Sequence, residues 1–208
     1  MANVLFIKAN SRPLEQSVSV KLYKEFLENY IKTNPEDNIT ELDLFKEQLP
    51  YYDVDMINGM FKLSKDMELT AEEAEATILV NKYLNQFLEA DKVVFAFPLW
   101  NFTVPAVLHT YLDYLAQAGR TFRYTAEGPV GLLEEKKVAI LNARGGVYSE
   151  GPAMSSEMAV NYVETMLGFW GVNDITSVIV EGHNQFPDKA EQIIENGIEK
   201  AAVAAGSF

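Results

Sequence analysis

Three short stretches of this chain carry side chains that an ordinary apolar core would not need. The first runs Asn10-Ser11-Arg12-Pro13-Leu14-Glu15-Gln16-Ser17-Val18-Ser19. Ser17 and Ser19 open a helical pattern, and hydroxyls beside the free amides of a helix start suit a phosphate. Asn10 or Arg12 could supplement them. The second is Pro98-Leu99-Trp100-Asn101-Phe102. Two large aromatic rings flank an amide side chain there, a combination better matched to a planar heteroaromatic ligand than to packing. The third is Asn142-Ala143-Arg144-Gly145-Gly146. Its glycines carry no side chain, so their backbone amides can approach a ring closely. Each stretch also has an ordinary reading: helix capping, a tight turn, or Trp100 packed under the segment around Tyr52.

The elements that must position these stretches are written in apolar runs. Val4–Ile7, Val93–Phe97 and Val138–Leu141 are continuous and read as strands buried on both faces. Ile39–Leu44 alternates, as a half-exposed edge strand would, and Ile175–Val180 is the fifth strand. Between them, apolar residues recur at three- and four-residue spacing: Val18, Leu22, Phe26 and Tyr30, then Val107, Leu108, Tyr111, Leu112 and Leu115. Thr70 with Glu73 marks a capping box, with a helix to Glu89. Further helices are expected over 156–167 and from Asp188 to the end. Leu49–Leu69 and Gly119–Gly131 read as irregular, the former apolar enough for a partner surface.

Strand and helix alternate throughout, which calls for a parallel sheet with helices on both faces. Residues 1–208 are expected to form one α/β domain, a three-layer flavodoxin-like fold with five strands in the order 2-1-3-4-5. In such a sheet the three singled-out stretches border one crevice, at the carboxyl ends of the strands.

Composition narrows the ligand. A formal net charge of −13 argues against nucleic acid or an anionic membrane surface as partner. With no cysteine, disulfides, thiolate chemistry and cysteine metal sites are absent, and neither histidine has neighbours suited to a metal. No apolar run is long enough to cross a bilayer and no secretory leader is visible, so a cytoplasmic enzyme is expected. No G-x-G-x-x-G follows the first strand, which disfavours a dinucleotide there. A phosphate at one end and a planar ring at the other fit flavin mononucleotide (FMN).

Lys8–Ser19, Phe97–Phe102, Asn142–Gly146 and Glu181-Gly182-His183-Asn184 together resemble the FMN-dependent NADH azoreductases, also described as NADH:quinone reductases, and most of all their Bacillus-type members. The resemblance covers essentially the whole chain. It implies a flavodoxin-like homodimer with FMN near the interface, held at its phosphate by Ser17, Val18 and Ser19. Leu99–Phe102 and Ala143–Gly146 would then border the ring. Some relatives carry Met-Tyr-Asn-Phe and Ser-Arg-Gly-Gly at these two places. The first difference retains an aromatic, whereas Ala143 lacks the hydroxyl and can address the ring only through its backbone.

The expected activity is hydride transfer from NADH or NADPH to FMN and on to quinones or aromatic azo compounds, by ping-pong kinetics. The flavin performs the chemistry and the protein supplies position and electrostatics. No catalytic side chain is assigned. Phe122, Tyr124 and His183 are candidate walls of the acceptor pocket. A flavodoxin-type electron carrier is the competing reading. A phosphoacceptor receiver is set aside because Lys8-Ala9-Asn10 stands where acidic residues would be needed.

Overall fold

The computed structural model describes residues 1–208. Its central strands are β1 (Asn3–Lys8), β3 (Lys92–Pro98) and β6 (Lys137–Arg144), each built around an unbroken apolar run. They lie side by side with β2 (Asn38–Asp43) and β7 (Asp174–Glu181) at the two edges, giving a five-stranded parallel sheet in the order β2-β1-β3-β6-β7. This is the order expected from the sequence.

Because successive side chains of a strand point to opposite faces, each run feeds two cores. Leu5, Ile7, Val93, Phe95, Phe97, Val138 and Ile140 pack beneath α3 (Ala71–Glu89), α4 (Ala106–Leu115) and α5 (Val160–Phe169). Val4, Phe6, Val94, Ala96, Ala139 and Leu141 face α1 (Val18–Thr33) and α6 (Ala190–Ser207). Burial on both faces is what a continuous apolar strand requires. At β2 only Leu42 is buried, in keeping with its edge position.

Local signals set the helix starts. Thr70 accepts from the Glu73 amide while Glu73 accepts from the Thr70 amide, the expected capping box, and Glu73 also holds Lys62 Nζ at 2.6 Å. Two stretches read as irregular are ordered differently. Within Leu49–Leu69 lies a further helix, α2 (Val54–Leu63), started by Asp53 accepting from the Met56 amide. Met56 and Met60 face inward while Val54, Ile57 and Phe61 are exposed, so apolar residues surround this helix and hide its period. Within Gly119–Gly131 lies an antiparallel hairpin, β4 (Phe122–Thr125) with β5 (Gly128–Gly131), whose strands are too short to show an alternation. The helix expected from Ser156 begins at Val160, and the last one begins at Ala190, each after a short 3₁₀ turn.

The hairpin sits at the amino end of the sheet, away from the carboxyl edge. Phe122 packs on Phe169 with ring centroids 4.5 Å apart, and the Leu133 amide donates to the Trp170 carbonyl at the turn into β7. A Cβ on Gly131 would lie 2.2 Å from the Gly171 nitrogen and 2.3 Å from the Trp170 carbonyl carbon, backbone atoms that have little room to yield. Gly131→Ala is therefore expected to cost about 2–3 kcal/mol of stability through overpacking, read as a lower urea midpoint. An unchanged midpoint would show that the hairpin does not need this close approach.

Candidate active site

At the carboxyl edge, β1 passes into the segment that starts α1, β3 into the turn before α4, and β6 into a glycine turn. Registers Lys8↔Ala96, Pro98↔Ala143 and Arg144↔Glu181 bring these three exits to one edge. The structure thus gathers the three stretches singled out by their chemistry.

At the first corner Ser17 is the N-cap of α1, its Oγ accepting from the Val20 amide at 3.3 Å. The Val18 and Ser19 amides, in the first turn, have no acceptor within the chain. Asn10 is buried and donates from Nδ2 to Ser17 Oγ at 2.7 Å and to Ser19 Oγ at 3.0 Å. Arg12 and Gln16 are exposed, and neither side chain is fixed by a partner. Lys8, the nearest cation in the strand, is held by Asp43 at 2.8 Å. The buried part of the corner is therefore a set of neutral donors at the positive end of a helix, with Arg12 exposed beside it.

At the second corner the Trp100 amide donates to the Thr103 carbonyl and the Thr103 amide to the Trp100 carbonyl, closing a two-residue turn. Both central residues are left-handed, Asn101 with φ 49° and Phe102 with φ 72°. Such a turn favours Asn followed by Gly, so a phenylalanine in its second place is strained, and strain of this kind gathers at functional sites. The Asn101 side chain makes no hydrogen bond within the chain, and Phe102 stays 48% exposed. Trp100 packs edge-to-face on Phe45, centroids 6.1 Å apart, rather than beneath Tyr52, which lies against Tyr114. Pro98 and Leu99 close the strand, the Leu99 amide donating to the Ala143 carbonyl.

The third corner turns the amides of its two glycines outward. The Arg144 and Gly146 carbonyls both accept from the Gly182 amide, and the Gly145 carbonyl accepts from Asn184 and Gln185. In a planar trans peptide the N–H points opposite to the C=O. The Gly145 and Gly146 amides are thus turned away from the 182–185 segment, and neither has an acceptor in the chain. A Cβ at Gly145 would stand 2.4 Å from Asn184 Nδ2.

Arg144 does not present its guanidinium to a ligand. It is 4% exposed, with Nη1 3.2 Å from Glu157 Oε1 and Nη2 2.8 Å from Glu181 Oε2. Glu157 in turn accepts from the amides of Ala159, Val160 and Asn161, capping α5. Glu181 accepts from the Tyr148 and Ser149 amides and the Ser149 hydroxyl. Burial raises the Glu181 carboxyl, but the Ser149 hydroxyl, the Tyr148 amide and Arg144 outweigh it and hold the group below the usual carboxylate range. Glu157, Glu181, Tyr148 and Asn184 carry this architecture without having been singled out for it. Glu181 and Asn184 stood only within a motif of the resemblance, and Glu157 had a local signal, an acid just ahead of a helix start.

The remaining candidates fall elsewhere. Tyr124 is 73% exposed and, with Phe122, belongs to the hairpin at the amino end, so neither reaches the cradle of its own chain. His183 does lie at the carboxyl edge; its Nδ1 is buried without a partner, and burial lowers its pKa, keeping it neutral at neutral pH. No group of acidic or imidazole side chains suited to a metal is present.

The donor set fits FMN: unpaired amides and hydroxyls for an anion at one corner, unpaired amides and Asn101 for polar ring edges at the other two. Fold and site together define a class, and a model described as flavodoxin-like fold matches residues 2–204. The chain belongs to this flavodoxin-like family. Among its relatives, FMN-dependent NADH:quinone oxidoreductase 3 of Bacillus cereus is 66% identical over 208 residues, all of both chains. An azoreductase from Bacillus anthracis superposes with a TM-score of 0.98 at 64% identity, again over both whole chains. An FMN-dependent NADH-azoreductase from Bacillus anthracis, solved in complex with FMN, superposes at 0.90 with 28% identity, covering 100% of this chain and 99% of that one.

Replacing Arg144 by Met leaves two carboxylates without their cation, one of them buried. It should destabilise the protein by about 3 kcal/mol, measured as the loss in urea unfolding free energy. A loss below about 1 kcal/mol would place the pair among weak surface bridges instead.

Proposed function

We propose that the chain is an FMN-dependent NADH oxidoreductase that reduces quinones and cleaves aromatic azo compounds to amines. The observation that carries this reading is the row of unpaired backbone donors along one sheet edge, at Val18–Ser19, Asn101–Phe102 and Gly145–Gly146. When bound, FMN supplies two-electron chemistry, taking hydride equivalents from the nicotinamide and delivering them to the acceptor.

The chain's own residues bind and orient. Ser17, Ser19 and the first α1 amides would hold the phosphate. Asn101 and the Gly145 and Gly146 amides would face the polar edge of the ring, where preorganised donors stabilise charge as it develops. Pro98 and Leu99 set the height of the Trp100 turn, and Ala143 contributes backbone only. Phe102 and Tyr148, edge-to-face at 6.4 Å, stand beside the opening as an aromatic wall suited to flat acceptors. No acid or base of the chain need act, since water can supply the protons. One pocket serving donor and acceptor in turn gives ping-pong kinetics. Residues 1–208 act as one domain, and the use of a nicotinamide reductant suits a cytoplasmic enzyme.

We further infer a homodimer. Phe122 and Tyr124 can wall an acceptor pocket only if the hairpin of one chain approaches the cradle of another. The exposed Tyr124, Phe169, Val130 and Leu132 leave an apolar surface for that approach.

Mixing the purified holoenzyme with NADH in a stopped-flow instrument should bleach the flavin absorbance within seconds, and NADPH run in parallel gives the preference. Flavin that stays oxidised would favour an electron carrier that depends on a redox partner. Asn101→Ala should slow this reduction or weaken FMN binding about 10-fold, the worth of one hydrogen bond; unchanged values for both would remove Asn101 from the site.

A further inference from the structure

Both polar atoms of the Asn10 side chain have a defined role, and together these roles fix where the protons of the phosphate corner go. The Arg12 amide donates to Asn10 Oδ1 at 2.9 Å. An amide N–H needs an oxygen, so this bond settles the orientation of the Asn10 side chain and turns Nδ2 toward the serines. Nδ2 has two protons, one for Ser17 Oγ at 2.7 Å and one for Ser19 Oγ at 3.0 Å. Ser17 Oγ also accepts from the Val20 amide. Both lone pairs of that hydroxyl are then occupied, and its own proton must be donated outward or to Ser19 Oγ, 3.3 Å away. The two hydroxyls have two protons and at most one can be used between them.

We infer that Asn10 is a positioning residue that imposes donor polarity on Ser17 and Ser19, making the corner selective for the phosphate of FMN where the one nearby free cation, Arg12, is exposed and held by no partner. Asn10 is 1% exposed and Ser19 2%, so neither depends on solvent to set its hydrogen-bonding sense. The chain carries a net charge of −13, and Lys8 is held by Asp43. Among the buried groups of this corner, a dianionic phosphate is met by oriented dipoles: the hydroxyls, the Val18 and Ser19 amides, and the start of α1. An acceptor in place of Asn10 Nδ2 would draw the hydroxyl protons inward and turn lone pairs toward the phosphate.

The inference rests on the FMN reading above, and the test separates the two. Flavin release from purified holoenzyme and exchange with riboflavin, which lacks the phosphate, are followed by flavin fluorescence for the wild type, Asn10→Asp, Asn10→Ala and Ser19→Ala. Melting is recorded for each. Asn10→Asp keeps the shape and the acceptor for Arg12 but reverses the polarity and adds a like charge. It should weaken FMN about 100-fold, the scale of two like charges in a partly buried site, with riboflavin changed less than about 3-fold in the same reading. The deficit should shrink relative to the wild type as the pH is lowered and the introduced carboxylate takes up a proton. Asn10→Ala and Ser19→Ala should each weaken FMN about 10-fold and spare riboflavin. Equal losses for FMN and riboflavin, moving with the melting temperature, would make Asn10 a structural residue and overturn the inference. So would a wild type that binds riboflavin as tightly as FMN. A wild type that binds neither flavin fails the proposed function itself.

Discussion

The structure turns on an imbalance of backbone hydrogen bonding at one edge of its sheet. Where parallel strands end, amides and carbonyls both lose ladder partners, and buried polar groups left unpaired are costly. Here the carbonyls of the glycine turn are satisfied inside the chain, by Gly182, Asn184 and Gln185, while the amides of Gly145 and Gly146 are not. The start of α1 repeats the pattern, with Val18 and Ser19 unpaired beside two hydroxyls oriented by Asn10. An edge that exposes donors and hides acceptors attracts electron-rich groups, and a flavin phosphate and the heteroatoms of its ring answer that description.

That imbalance persists only because the turns are held rigidly. Arg144 sits between Glu157 and Glu181, which in turn hold the start of α5 and the 148–149 segment through their amides. One guanidinium thereby connects the end of β6, the end of β7 and the start of α5. A buried ion pair gains little net stability over an apolar substitute, but its directional bonds fix one arrangement. At the Asn101–Phe102 turn the same need is met with strain, because two left-handed non-glycine residues are retained where a relaxed turn would carry glycine.

Beneath the edge the scaffold is conventional in its physics. Two apolar cores flank one sheet, and the alternation of side chains along β1, β3 and β6 supplies both. Depth of burial explains why the site does not need to stabilise the fold. Unpaired amides and strained turns are tolerated at its rim because the strands below are fully packed. The hairpin β4–β5 belongs to the opposite end of the molecule, where Phe122 packs on Phe169.

By itself the sequence determined the elements with a strong period: five strands, their order, the capping box at Thr70 and Glu73, and the three stretches of unusual chemistry. These follow from local rules, since burial on two faces, helix spacing and capping each leave a pattern within a few residues. Its motifs also carry the resemblance to the azoreductases without any help from the fold. Tertiary structure alone decided the rest. Arg144 looked available to a ligand until partners 13 and 37 residues along the chain were seen to enclose it. Phe122 and Tyr124 looked like pocket walls of their own chain until the packing on Phe169 carried them to the other end of the sheet, where only a second chain's cradle is within their reach. Helix α2 was hidden because its apolar residues face both inward and outward. The direction of an unpaired amide, the feature on which the site depends, is likewise absent from residue type. It is set by which distant backbone claims the adjoining carbonyl, and only folding makes that choice.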